Sequence, residues 1–293
     1  MNYEESLLKA IQKSDYKKIK NLVEKKKANV NYRGLLGETP LLMAMDILWG
    51  TPILKLLIEL GADVNMTNKW GQSPVFYAIE KANNLALSLF IQNKAKLNVH
   101  HPKKGITPLI YALKEGNFAQ VEMLLKAGAK ANLADKEGQT PLMVAVQNKR
   151  LDFAKLLIEK YHANINTQNE EGNSALFMAI KLQDIKMVQY LVEEKKAKVD
   201  IKNQEGKTPI YEAFKLKNTE IFNILWDAGA KISLDSENKK GVEQYLEEEL
   251  EKDPLVLMYQ KVLSSKQEPS LKPVQIVHKL LTRRNEKGGR EKD

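Results

Sequence analysis

The sequence predicts an all-α solenoid: a row of repeated helix-turn-helix units with a helical cap at the carboxyl end. Three observations predict it. The stretch GETPLLMA, residues 37–44, returns as GQSPVFYA, GITPLIYA, GQTPLMVA, GNSALFMA and GKTPIYEA. The glycines that open these copies, Gly37, Gly71, Gly105, Gly138, Gly172 and Gly206, are separated by 34, 34, 33, 34 and 34 residues. Each copy is followed by a second apolar stretch at helical spacing, such as Val121, Leu124 and Leu125, or Val188, Leu191 and Val192. A fixed period of this kind identifies a repeat array, whose units touch only their neighbours, so 293 residues form one elongated body instead of two globular domains.

Within a unit, the first helix starts at a hydroxyl: Thr39, Ser73, Thr107, Thr140, Ser174 or Thr208. A hydroxyl at that place accepts from the orphan amides of the first turn. Proline follows at Pro40, Pro74, Pro108, Pro141 and Pro209, where its fixed φ suits the first helical position. Alanine recurs inside this helix at Ala44, Ala78, Ala112, Ala145, Ala179 and Ala213, small enough to let a neighbouring helix approach closely. A short polar break, such as KEGN or KLQD, then leads into the second helix, which ends at Gly61, Gly128 or Gly229. An extended piece ending in asparagine (ADVN, AKAN, ANIN) and a turn return the chain to the next Gly-x-Thr-Pro.

This pattern, Gly-x-Thr-Pro-Leu-x-x-Ala followed by Leu-Leu-x-x-Gly-Ala-x-x-Asn, resembles the ankyrin repeat. The resemblance covers residues 1 to about 234: a degenerate amino-terminal unit over 1–33, SLLKAIQKSDYKKIKNLVEKKKANVN at its heart, and six recognisable units over 34–234. It implies that the helix pairs stack side by side with their turns projecting along one edge as β-turn fingers, that the fingers and first helices line a concave groove, and that the second helices form a convex back. It also implies a non-enzymatic module that binds a partner protein through that groove. Beyond the array, GVEQYLEEELEKDPLVLMYQKVL within 235–264 reads as two capping helices, and 265–293 as a linker, a short amphipathic helix and a basic, disordered tail.

Several units depart from the family pattern. The histidine usual after Pro-Leu is replaced by Leu42, Phe76, Ile110, Met143, Phe177 and Tyr211, which predicts apolar packing there in place of hydrogen bonds. Ala175 stands where the other copies have proline. LVEKKKA, LLIELGA, LLIEKYHA and LVEEKKA suggest one extra residue before the alanine in the first, second, fifth and sixth units. Lys27, Lys94, His162 and Lys196 occupy the place of the closing glycine. A non-glycine residue in a left-handed conformation costs about 1 kcal/mol or more, which predicts frayed or differently closed turns.

Composition narrows the chemistry. The absence of cysteine excludes disulfides, thiolate metal sites and a cysteine nucleophile. The four histidines, His100, His101, His162 and His278, lack metal-site spacing, and no phosphate-cradling or nucleophile-elbow motif occurs. These readings predict no enzyme activity, cofactor or metal. The opening MNYEESLLKAIQKSD carries no signal peptide, and no apolar run reaches membrane-spanning length. The expectation is a monomeric cytoplasmic protein without membrane insertion, or one exported into a host cell as a bacterial effector without a cleaved signal. The net charge of +9 raises nucleic-acid binding as an alternative, but it is almost all lysine, with arginine only at Arg33, Arg150, Arg283, Arg284 and Arg290.

Candidate partner contacts fall on fingertips and exposed ends of first helices. An apolar group comprises Leu35 and Leu36, the loop residues Ile47, Leu48 and Trp49, and the fingertip Trp70 beside Lys69. It reads either as an interface hot spot or as cover for the array's end. Equivalent tips carry Lys103, Lys104, Lys136 and Glu137, and the first helices contribute Tyr77 and Tyr111. The finger HHPKKG is one residue longer than its counterparts, suggesting contact with an acidic partner that is pH-sensitive through His100 and His101, or neutral drift. Glu212 stands where other first helices have Met43, Tyr77, Tyr111, Val144 and Met178, which suggests a carboxylate facing the groove.

Overall fold

The computed structural model describes residues 2–34, 37–47, 50–216 and 218–230. The expectations placed on Leu35, Leu36, Leu48, Trp49 and the caps, linker and tail beyond 230 lie outside the described residues. Within them, the helices fall into seven consecutive pairs. These are α1 (Tyr3–Gln12) with α2 (Tyr16–Glu24), α3 (Pro40–Ala44) with α4 (Thr51–Glu59), α5 (Pro74–Glu80) with α6 (Asn84–Gln92), and α7 (Pro108–Glu115) with α8 (Phe118–Lys126). They continue as α9 (Pro141–Gln147) with α10 (Leu151–Lys155), α11 (Ala175–Lys181) with α12 (Ile185–Gln189), and α13 (Pro209–Lys215) with α14 (Thr219–Asp227). No strand is present among the described residues, only an isolated bridge between Gln168 and Ser174.

First helices pack against first helices along the array, and second helices form a parallel layer behind them. The recurring alanines explain the close approach: Ala44, Ala78, Ala112, Ala145, Ala179 and Ala213 are all completely buried. The predicted caps form at Thr39, Thr107, Thr140, Ser174 and Thr208, whose hydroxyls accept from backbone amides three residues on at 3.2–3.4 Å. Ser73 makes no such bond. At Ser174 the cap survives with Ala175 in proline's place. The second helices have caps of their own, from Asp15, Asn83, Asn117, Asp184 and Asn218. Apolar residues do replace the family histidine: Leu42, Phe76, Ile110, Met143 and Phe177 are buried.

The asparagine that ends each extended piece ties one unit to the next. The side-chain oxygen of Asn31 accepts from Asp63 N–H at 2.7 Å, Asn65 from Lys96 at 2.7 Å, Asn98 from Lys130 at 2.8 Å, Asn132 from Asn164 at 2.7 Å, and Asn166 from Lys198 at 2.9 Å. Asn31 and Asn98 also donate to the carbonyls of Gly61 and Gly128. The asparagines recur because the joint between units needs an acceptor at that place.

The extra residue of the 34-residue units is accommodated in three different ways. In the fifth and sixth units it widens the second helix into a single π-turn, Leu156–Lys160 after α10 and Tyr190–Glu194 after α12. The first unit loosens similarly, with Lys26 N–H reaching Asn21 O five residues back. In these three units the closing alanine donates six residues back: Ala28 to Leu22, Ala163 to Leu157 and Ala197 to Leu191. The second unit corrects the sequence reading. Ala62 donates to Leu57, five residues back, as Ala129 does to Leu124, so nothing is inserted there. Its additional residue lies between Ala44 and Leu54, ten residues apart where Ala112 and Val121 are nine apart. The third unit's extra residue lies in the finger, as expected.

Of the two expectations for these turns, fraying is not seen and different closure is: at Lys27, His162 and Lys196 the following alanine bonds six residues back, and only Lys94 closes as a glycine does. Lys27, Lys94, His162 and Lys196 all adopt the left-handed conformation, with φ between 52° and 61°. At Lys94 the closure reproduces that of Gly128: Lys94 N–H donates to Ile91 O and Ala95 N–H to Phe90 O, both at 3.0 Å. The lysine backbone therefore carries the strain of a left-handed turn that glycine would adopt freely.

Candidate functional site

Each described finger is built around one side chain that folds its backbone. The side-chain oxygen of Asn68 accepts from the amides of Trp70 and Gln72, both at 3.0 Å. Asp135, Asn169 and Asn203 do the same for Glu137 and Gln139, Glu171 and Asn173, and Glu205 and Lys207. These residues stand three positions before the finger glycine, a signal visible in the sequence that motif reading passed over. In the lengthened finger the place is taken by His101, whose Nδ1 accepts from Lys103 and Lys104 N–H, both at 3.2 Å. The longer imidazole reaches across the additional residue.

His101 is accordingly a structural acceptor and not an open partner contact. It is 6 % exposed and meets the edge of Phe76, with ring centroids 5.1 Å apart. Burial, reinforced by Lys104 and Lys103, holds its imidazole below the ordinary value near 6.5. His100, by contrast, is exposed, with its Nε2 2.8 Å from Ala134 O.

Trp70 is 48 % exposed at the tip of its finger, and the Lys69 ammonium lies 4.7 Å from its ring centroid. Behind the fingers, the first helices form a ladder of tyrosines and carboxylates. Tyr77 donates to Asp46, which also pairs with Lys81 at 3.4 Å. Tyr111 donates to Glu80 at 3.4 Å and accepts from Lys104, whose ammonium sits 4.5 Å from its ring centroid. Gln72 donates to Glu80 as well. Burial, then the Asp46 hydrogen bond, pushes the Tyr77 phenol far above its usual range. Burial also raises Tyr111, against the opposing pull of Lys104. Both phenols therefore remain proton donors at neutral pH.

The structure thus brings Lys69, Trp70, Tyr77, Lys103, Lys104 and Tyr111 onto neighbouring fingers and helices, and places Lys136 on the next exposed tip. It encloses Glu212, which is 7 % exposed, within the layer of first helices and not on an open groove surface. The equivalent Tyr111, an expected partner contact, is likewise only 7 % exposed, and Val144 and Met178 are buried too, so this position faces neighbouring helices more than solvent. Asp46 and Glu80 were missed as members of the ladder because a carboxylate at a helix end reads in sequence as an ordinary solvated charge. Among the described residues no group of histidine and carboxylate side chains could hold a metal ion, and no helix is long and apolar enough to cross a membrane.

No curated protein matches the sequence. In solved structures the architecture is common, recurring in 575 matching chains, so fold likeness alone does not single out a ligand. One is the ankyrin repeat domain of Bcl-3, described as a unique member of the IkappaB protein family, 26 % identical with a TM-score of 0.66, the match covering 75 % of this chain and 97 % of that one. The family description "Ankyrin repeats (3 copies)" matches residues 7–100, 81–169 and 160–236, which together span most of the sequence. With the stacked helix pairs, the capped Thr-Pro starts and the projecting fingers, that match makes the chain a member of the ankyrin-repeat family.

Proposed function

We propose that this array acts as a non-enzymatic binding module that holds another protein against its fingers and first helices, with the amino-terminal half as the dominant contact. The observation that carries this reading is Trp70, a large aromatic presented to solvent on a braced fingertip beside the Tyr77–Tyr111 ladder. Tryptophan and tyrosine gathered on a stiff frame are the chemistry of interface hot spots. Lys103, Lys104 and Lys136 extend the proposed patch along the fingers, and Leu35, Leu36 and Trp49 are proposed as further contacts on their sequence character alone. The charge of the tips supports protein over nucleic acid, since a polyphosphate following the fingers would meet Glu170 and Glu171.

The test is affinity capture with the full chain beside Trp70→Ala, after both are shown to melt alike. Partners held by the fingers are lost from the variant, and identical capture by both proteins would refute a Trp70-centred contact. The finer reading, a bacterial effector working in a host cytoplasm, is supported by the lysine- and asparagine-rich, arginine-poor composition and the charged stretch 283–293. Unchanged export of a chain lacking 283–293 would remove that stretch from the reading.

A further inference from the structure

The five described fingers differ chiefly at their tips. In chain order the tips carry Lys69 and Trp70, then Pro102, Lys103 and Lys104, then Lys136 and Glu137, then Glu170 and Glu171, then Gln204 and Glu205, all exposed. Read as charge, the row runs from one positive, through two positive, balanced and two negative, to one negative. It changes sign under reversal about the Lys136–Glu137 finger, and that finger carries one charge of each sign.

The row is also held at a fixed pitch. Lys136 N–H donates to Gly105 O at 3.1 Å, Glu170 to Glu137 O at 3.2 Å, and Gln204 to Glu171 O at 3.0 Å, linking four consecutive fingers through their backbones. Pro102, which has no N–H to give, instead packs its ring against Gly71, where an added Cβ would come within 2.8 Å of Pro102 Cγ. Several tip charges are not consumed inside the chain. Lys103, Lys136, Glu137 and Glu170 form no salt bridge among the described residues, whereas Lys104 and Lys69 lie over the rings of Tyr111 and Trp70 and Glu205 pairs with Lys207.

A row that is its own opposite when reversed is complementary to a second copy of itself turned about a two-fold axis. We propose that the fingertip edge is the contact between two copies of this chain, related by a two-fold axis at the Lys136–Glu137 finger. The arrangement sets Lys136 against Glu137 of the second copy, Lys103 and Lys104 against its Glu170 and Glu171, and Lys69 against its Glu205, each pairing made twice. A foreign partner would have to supply the reversed pattern independently, while a second copy supplies it by construction. The proposal rests on the reading of the fingers as the binding edge and replaces the expected monomer with a dimer. Because exposed ion pairs are individually weak and screened by salt, the association is favoured at low ionic strength.

Sedimentation velocity on the full chain tests it, using the wild type and two charge-reversed variants, Lys103→Glu/Lys104→Glu and Glu170→Lys/Glu171→Lys. The expected result is a wild-type dimer at low ionic strength that dissociates as salt is added, and each variant alone as a single chain. An equimolar mixture of the two variants should dimerise, because each then presents at both fingers the sign the other lacks; this restoration also shows that neither variant has simply misfolded. A wild type that stays a single chain at low ionic strength, or self-association indifferent to both reversals, overturns the proposal. Either outcome is separate from the Trp70→Ala capture, which can succeed with a single-chain protein and fail with a dimeric one.

Discussion

His101 shows how one residue can look functional in sequence and prove architectural. Its Nδ1 replaces the carboxamide oxygen that closes the other fingers, and its ring supports Phe76. Replacing it with alanine strands two turn amides, for which the expected cost is about 1–3 kcal/mol, read by thermal or urea unfolding. The same burial sets a pH dependence. The folded imidazole titrates below its unfolded value, so the unfolded chain binds more protons in the interval between the two. Stability is therefore full above about pH 6.5, falls as the pH drops through the interval down to the folded value, and then levels. Melting curves should show this acid-side loss in the wild type, and His101→Asn should lack it; an equal loss in both would place the titrating group elsewhere. The length of the HHPKKG finger was legible in sequence. The burial of His101 was not, because it depends on Phe76 and on a turn closure that becomes apparent only across several fingers.

At the scale of the element, capping, helix starts and close helix packing follow directly from Thr-Pro and the recurrent alanines, and the structure realises them with one exception at Ser73. The location of the added residues was less legible, since a loop, a finger and a π-turn all lengthen the period equally. Only the hydrogen bonds of the closing alanines distinguish them, as Ala62 against Ala163 demonstrates. The left-handed Lys94 gives a sharper prediction. Its turn already has the geometry of Gly128, so Lys94→Gly should stabilise the protein by about 1 kcal/mol, seen as a higher urea midpoint with unchanged slope. Asn98→Ala should do the reverse. It removes the acceptor for Lys130 N–H and the donor to Gly128 O, with an expected loss of about 1–2 kcal/mol by the same measurement.

At the scale of the whole molecule, the array is a frame that fixes the pitch of its fingers and leaves their tips free to vary. The frame was readable because its demands repeat in every unit, whereas the tips are constrained only by what they bind, and a single sequence carries no second copy of that information. The ladder from Asp46 through Tyr77 to Glu80 and Tyr111 crosses units, so it emerged only when neighbouring helices were set side by side. The central claim is that function lies on the finger side and not on the layer of second helices. The most direct measurement is photo-crosslinking in the native cellular setting, with a photoreactive residue placed at Trp70 in one protein and at the exposed Lys155 of a second helix in another. The account predicts discrete protein adducts from position 70 and none from position 155. Adducts confined to position 155, or adducts to nucleic acid from position 70, would contradict it.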